Sequence, residues 1–449
     1  MIINLRSAQI AVIIGACLTV RAQGQLTPDE LIDREIASLV STYKTLHASP
    51  ELSCHEGKTS ALLAESLRSI GYTVTEHVGK YEEGSGQTGY GVVAVLKNGT
   101  GPTLLIRTDL DALPVEEKTG LPYASKAKTK TDDGMEVSVM HACGHDIHMT
   151  TLLGTARILS QLKDQWRGTL MLIGQPAEEL GLGARAMLND GLYTRFPKPD
   201  YAIALHDFPL DAGKIGIYAG YIMASATTVD ITIRGIGGHG SKPESAKDPV
   251  VIAAEVILAL QTIVSRENSP FDPAVVTVGS IHGGTRGNII PDEVKLQLTV
   301  RTYKDEVRRK ILSSIERITH GIAAAHGIPN ELAPIVSSKD VSFEATYNDP
   351  VLTERLTGVF RKTLGEKNVV ESPPIMGSED FGLFALDRHQ IPICMFFLGA
   401  TDPALVAASK QNGTPLPGLH SPYFAPLPEP AIRTGVKAMI AASLELLKK

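Results

Sequence analysis

Thr103-Leu-Leu-Ile-Arg107-Thr108-Asp109-Leu110-Asp111 is a short apolar run that ends in carboxylates. Two later stretches have the same form. Gly168-Thr-Leu-Met-Leu-Ile-Gly174 runs into Gln175-Pro176-Ala177-Glu178-Glu179, and Tyr201-Ala-Ile-Ala-Leu205 ends in His206-Asp207. Continuous apolar runs of this length read as strands buried on both faces. Polar residues just past such strands sit at the C-terminal edge, where open α/β sheets place their chemistry. Helical periodicity surrounds these strands. Leu31, Ile32, Ile36, Leu39, Val40 and Tyr43, then Leu62, Leu63 and Leu67, make residues 28–70 helical apart from a break at Pro50. Met149 to Leu162 predicts another helix, and Gly91 to Leu96 another strand. The alternation argues for an α/β sandwich around a largely parallel sheet.

The pattern changes after residue 221. Thr227 to Arg234 alternates with period two. It is followed by a helix (Pro249 to Arg266), two strands (Ala274 to Ile281, Glu293 to Tyr303), a helix (Lys304 to His326) and a last strand between Leu332 and Glu344. This β-α-β-β-α-β order predicts a ferredoxin-like α+β lid domain inserted at 222–342. The catalytic domain then comprises 23–221 and 343–449. Its second part supplies the strand Ile393 to Leu398 and the helix Ala431 to Leu447.

The chain has 449 residues, with 43 Lys plus Arg against 49 Asp plus Glu. No basic run or stripe is present, which argues against nucleic acid as a partner. The N-terminus reads as a signal peptide over 1–22, with an apolar stretch from Ile10 to Val20 and Val20-Arg21-Ala22 as the cleavage pattern. Ile14-Gly-Ala-Cys17 offers a lipoprotein box as the alternative. Export, to the periplasm or the medium, is therefore expected. Cys54, Cys143 and Cys394 remain after cleavage. An odd count excludes a dense disulfide framework and asks what each thiol does.

His141-Ala-Cys143-Gly-His145-Asp146-Ile-His148 packs three imidazoles, a thiol and a carboxylate into one short segment. Thiolate and imidazole suit Zn, Mn, Co or Ni better than Ca or Mg. Glu178-Glu179 offers one carboxylate to hold an ion and one to carry a proton, although adjacent glutamates are commonly solvated surface. His206 and His420 are weak signals taken singly. Asp109 and Asp111 read equally as ligands, as partners of ligating histidines or as a loop cap. Gly237-Gly-His239-Gly-Ser-Lys-Pro243 and Gly283-Gly-Thr-Arg-Gly-Asn288-Ile-Ile-Pro291 bring backbone and donors close to a ligand.

Taken together, several segments resemble one family in one order. They are His47-Ala-Ser-Pro-Glu-Leu52, Arg107 to Glu116, His141 to Asp146, Gln175 to Glu179, Leu205-His206, Gly238-His239, Asn288 to Asp292, Met376 to Phe381 and Leu419 to Phe424. The chain resembles the zinc-type metallopeptidase superfamily of aminoacylases and carboxypeptidases. Within it, the likeness is to hippurate hydrolases, N-acyl-amino-acid amidohydrolases and indole-3-acetyl-amino-acid hydrolases. The resemblance implies two divalent metal ions (Zn, Mn, Co or Ni) on Cys143, His145, Glu179, His206 and His420, with the Cys143 thiolate bridging. It implies Glu178 as general base, His239 as donor to the oxyanion, and Asn288 and Arg301 at the substrate carboxylate. Asp109 and Asp111 would support the ligands, as would His141, Asp146 and His148.

The implied substrate is an N-acyl amino acid or a short peptide-like amide, and the implied assembly is a homodimer through the lid. Relatives read Gly-Gly-His-Ala-Ala-x-Pro-His in the lid. Lys242 and Glu244 depart from that pattern, which bears on substrate identity. Two rival readings are a metal-dependent deaminase and an exported binding protein that kept the fold. The first needs a Pro-Cys-x-x-Cys segment that is absent, and the second should have lost the base or a ligand.

Overall fold

The structure is a computed structural model that describes residues 26–338, 343–386 and 389–448. The expected leader at 1–22, Cys17 and the expected lid boundary at 342 lie outside the described residues. In chain order the catalytic part begins α1 (Pro28–Ala48), α2 (Gly57–Ser69), β1 (Thr73–Val78), β2 (Gly91–Asn98) and β3 (Thr103–Asp109). It continues β4 (Lys128–Lys130), β5 (Glu136–Ser138), α3 (His145–Gln161), β6 (Gly168–Gln175), α4 (Gly183–Asn189) and α5 (Leu192–Arg195). β7 (Tyr201–Asp211), β8 (Ile215–Ile217) and β9 (Gly220–Met223) lead to the lid. The lid comprises β10 (Ser225–Arg234), β11 (Gly238–His239), α6 (Pro249–Thr262), β12 (Ala274–Gly283), β13 (Ile289–Ile290), β14 (Glu293–Thr302), α7 (Asp305–Ala325) and β15 (Ile335–Ser338). The chain returns through β16 (Thr346–Asn348), α8 (Pro350–Leu364), β17 (Val369–Glu371), β18 (Ile393–Thr401), α9 (Pro403–Asn412) and α10 (Pro428–Leu446).

The large sheet runs β1-β2-β6-β3-β7-β18-β8-β17. Its centre, β6-β3-β7-β18, is parallel, and β1, β2 and β8 join antiparallel. The three sequence-selected strands are thus neighbours. Asp109 lies beside Gln175 in register, so their polar ends share one edge. α1, α3 and α10 pack together over one face. Gly154 of α3 lets them close, because a Cβ there would meet Val436 at 2.7 Å and Leu39 at 2.8 Å.

The lid sheet runs β12-β14-β10-β15 and is antiparallel throughout, the ferredoxin-like order. Ile252, Ala253, Val256 and Leu260 of α6 are buried in the lid core with Val229, Leu296 and Leu298. With its π-helical extension α6 spans Pro249–Glu267, which is long and apolar enough to cross a membrane by length and composition. The sequence reading takes the same segment, Pro249 to Arg266, as a helix of the inserted domain. Its buried stripe within the lid core accounts for part of that apolarity.

Two of the boundaries that differ from the sequence reading bear on the site. α3 starts at His145 rather than Met149, because Gly144 takes a left-handed φ of 84° and turns the chain into the helix four residues earlier. β7 continues past His206 to Asp211, carried by its parallel pairing with β18.

His47, in the last turn of α1, ties that helix to the first turn of α3. Its Nδ1 lies 2.7 Å from Asp146 Oδ2 and its Nε2 3.2 Å from Glu117 Oε1. Burial alone would lower its pKa, but the bonds to Asp146 and Glu117 lift it to about 10. A raised pKa contributes stability in full below pH 6.5, which is lost as pH rises through about 10. His47→Gln should cost about 3 kcal/mol near neutrality by leaving buried carboxylates unpaired. The same variant should lack the wild-type decline in urea midpoint on the alkaline side. An unchanged decline in the variant would assign it to other groups.

Candidate metal centre

Gly144 sets the geometry. A Cβ at that position would stand 2.5 Å from Asp207 Oδ2, so only glycine lets the start of α3 meet the middle of β7. This early start puts His145 and His148 one turn apart on one helix face. Cys143, His145, His148 and His206 are all buried.

The ring nitrogens divide these histidines by role. The Nδ1 of His145 lies 2.8 Å from the Asp111 carbonyl and that of His206 lies 2.8 Å from the Asp207 carbonyl. A carbonyl only accepts, so both Nδ1 atoms carry a proton and both Nε2 atoms face the site, that of His206 3.5 Å from Cys143 Sγ. His148 differs. Its Nε2 accepts the Asp207 N–H at 2.8 Å, and its Nδ1 donates to Asp109 at 2.7 Å. His148 is therefore spent on structure. His141 is buried, and neither of its ring nitrogens has a hydrogen-bond partner among the described residues.

The site-facing atoms converge. Ligand atoms of Cys143, His145 and His206 lie within 4.8 Å of one another, as do those of Cys143, Glu179 and His420. Cys143 belongs to both groups, the arrangement expected of a shared thiolate. His145 Nε2 and Glu179 Oε1 are buried without a hydrogen bond, which a bound cation would resolve. His420 closes the rim, its Nε2 3.4 Å from Glu179 Oε2. The residues present fit a pair of divalent ions.

Glu178 and Glu179 follow β6. Glu179 N–H donates to Asp111 Oδ2 at 3.0 Å, and Glu178 Oε2 lies 3.9 Å from His145 Nε2. The loop behind them requires Gly183, where a Cβ would meet the Pro176 carbonyl at 1.5 Å. Burial and the charges of Glu379, Glu179 and Asp380 push the Glu178 carboxyl well up. Burial lifts Glu179 to about 7 against the pull of His145.

Behind Glu178 lies a network whose role the sequence reading did not assign. The buried Arg107 guanidinium donates to Asp109 at 2.6 Å, to Glu379 at 2.7 Å, to Asp380 at 3.3 Å and to Gln175 at 3.0 Å. The available signal was a charged residue two places before Asp109 inside an apolar strand. Asp109 thereby bridges Arg107 and His148, and Asp111 holds His145 and Glu179.

The lid residues separate. Arg301 on β14 donates to the Met376 carbonyl at 2.9 Å and to Ser378 at 3.2 Å. It stands near enough for its charge, after burial and His145, to depress His420. His239 is exposed on β11, bonded to Ser241 Oγ at 2.7 Å. Asn288 is exposed beside it, its carbonyl accepting from Gly240 at 2.8 Å. Arg301 thus joins the site, whereas His239 and Asn288 stand apart at a separate two-stranded ladder of β11 and β13.

Residues 105–442 match the family model Peptidase family M20/M25/M40. A hippurate hydrolase from Campylobacter jejuni is 40% identical over 342 residues, covering 76% of this chain and 82% of that protein. An N-acetyl-L-cysteine deacetylase from Bacillus subtilis is 35% identical, covering 80% of each. Among solved structures, a dinuclear metal binding peptidase of family M20 from Bacillus subtilis superposes with TM-score 0.71 at 28% identity, covering 92% of this chain and 99% of that one.

Metal uptake must displace protons. Burial, then Glu179 and Glu178, holds the Cys143 thiol well above its usual range. Asp109 and Asp111 lift His145 to about 10 against its burial. Loading metal-free protein near pH 7 should release about two protons, read as the slope of titration enthalpy against buffer ionisation enthalpy. Affinity should fall as pH is lowered. Cys143→Ala should release at least one proton fewer, and equal slopes for the two proteins would remove Cys143 from the ligand set.

Proposed function

The chain belongs to peptidase family M20/M25/M40, and from that premise we propose that it hydrolyses the amide bond of N-acyl or N-aroyl amino acids. The observation that carries this reading is the placement of Glu178. It stands beside the carboxylate Glu179 and the Nε2 of His145, with Arg107, Glu379 and Asp380 behind it.

Two divalent ions on Cys143, His145, Glu179, His206 and His420 would supply a water of lowered pKa and polarise the acyl carbonyl. Glu178 is placed to take the proton of the attacking water and to return it to the departing amine nitrogen. Its burial favours holding the proton between those two moments. Arg301 receives the substrate carboxylate, as a guanidinium paired on one side to backbone can. His239 and Asn288 act once the lid closes, His239 as donor to the oxyanion.

Glu178→Gln should keep its metal content and lose kcat by about a thousandfold, with KM little changed. A fully active variant would remove Glu178 from the mechanism. A panel of N-acetyl, N-benzoyl and arylacetyl amino acids alongside dipeptides, tested with Zn, Mn, Co and Ni, reads the substrate class. Turnover of dipeptides alone would move the reading to a peptidase, and binding without turnover across all metals to a binding protein.

We propose dimerisation through the lid on two supports. β12 is an edge strand, and α6 beside it exposes Val251 (48%) and Leu258 (72%). The native protein should elute as a dimer in light-scattering chromatography and Leu258→Arg as a monomer. A monomeric native protein would end this proposal.

A further inference from the structure

We propose that Glu56 is a positioning residue for the proton carrier Glu178, acting through the backbone of Ala177. The inference rests on the reading of Glu178 given above. Glu56 is fully buried, immediately before α2. One of its oxygens, Oε1, accepts two backbone N–H groups, from Cys54 at 2.9 Å and from Ala177 at 2.8 Å. Both residues are non-glycine with left-handed backbones, Cys54 at φ 65° and Ala177 at φ 50°. Such conformations persist in L-residues only where their surroundings hold them.

Ala177 directly precedes the two working glutamates. Its carbonyl is pinned by Leu182 and Gly183 N–H groups, both at 3.1 Å, and the Glu178 carbonyl by Gly181 at 2.7 Å. The N–H of Ala177 is therefore the open end of the turn, and Glu56 closes it. A neighbouring residue of the same loop supports Glu179: Ser53 donates to Asp111 Oδ2 at 2.6 Å, and that same oxygen accepts from Glu179 N–H. The segment between α1 and α2 thus fixes both glutamates, one through Asp111 and one through Ala177. Without Glu56 the Ala177 N–H is buried unpaired, and its alanine relaxes toward ordinary φ, rotating Glu178 away from His145.

The test uses metal-loaded protein and a substrate that the native enzyme turns over. Glu56→Leu should lower kcat about a hundredfold, as a displacement near 1 Å can, with KM and metal content held. Adding Ala177→Gly should restore about tenfold or more, because glycine keeps a left-handed φ unaided. Unchanged kcat in Glu56→Leu, or a loss that Ala177→Gly leaves untouched, overturns the proposal. Should Glu56→Leu not fold, Glu56→Gln and Glu56→Asp carry the comparison. Gln keeps the acceptor and most of the rate, whereas Asp is too short to reach Ala177 and loses it. Equal losses in the two also overturn the proposal. Glu178→Gln is measured alongside. If it is fully active the underlying reading fails; if it is inactive while Glu56→Leu is active, only the positioning role fails.

Discussion

Burying a carboxylate without a cation is among the most expensive acts in folding. Here Asp109, Asp111, Glu178, Asp207, Glu379 and Asp380 are all buried around one permanent cation, Arg107. The guanidinium reaches Asp109, Glu379 and Asp380, yet burial still pushes Asp380 well up, as it does Glu178 and Asp207. The centre is not electrically closed by the protein alone. Protons or divalent ions must complete it, and His145 Nε2 and Glu179 Oε1 are buried there without a hydrogen bond. Ions that bind the folded state also stabilise it, so the excess of buried acid joins the fold's stability to its chemistry.

Much of this was readable from residue order. Thr103–Asp109, Gly168–Gln175 and Tyr201–His206 announced themselves as buried strands with polar ends, and parallel pairing placed those ends side by side. The β-α-β-β-α-β order of the lid followed from period-two and helical spacing. The roles proposed for Cys143, His145 and Glu178 rest on density and position together with the family resemblance, and the structure brings the three side chains together. What the sequence did not disclose depends on contacts across distant segments. Arg107 meets Glu379, 272 residues on, and Glu56 meets Ala177, 121 residues on. Nor does spacing separate His148 from His145. Only the direction of the Asp207 N–H shows which imidazole is already occupied.

The lid adds a second body to the site. Arg301 is anchored to Met376 and Ser378, just before Glu379, so the lid sheet touches the same loop that gives Arg107 a partner. His239 stands on the β11–β13 ladder and Asn288 just before β13, where their polar atoms face solvent or each other's loop. A site built in two parts can exclude water after the substrate enters, and hydrolysis within it then depends on the angle between the bodies.

Backbone strain is concentrated where the chemistry is. Among the described residues, six non-glycine positions have positive φ, and Cys54, Ala177 and His420 belong to the centre or its supports. Each is held from outside. His420 donates its N–H to the Ala142 carbonyl at 2.8 Å, beside Cys143, so the loop bearing His420 is fixed to the segment bearing Cys143. Ala177 and Cys54 share a single carboxylate oxygen. Left-handed residues would relax if these contacts were lost, so the surrounding core must be stiff enough to impose them. That stiffness comes from the parallel strands and from α1 and α3, which His47 fastens together at the end nearest the metal ligands. Helix packing is therefore transmitted to the ligand set through a few hydrogen bonds, and a core defect near His47 reaches the chemistry without touching a ligand.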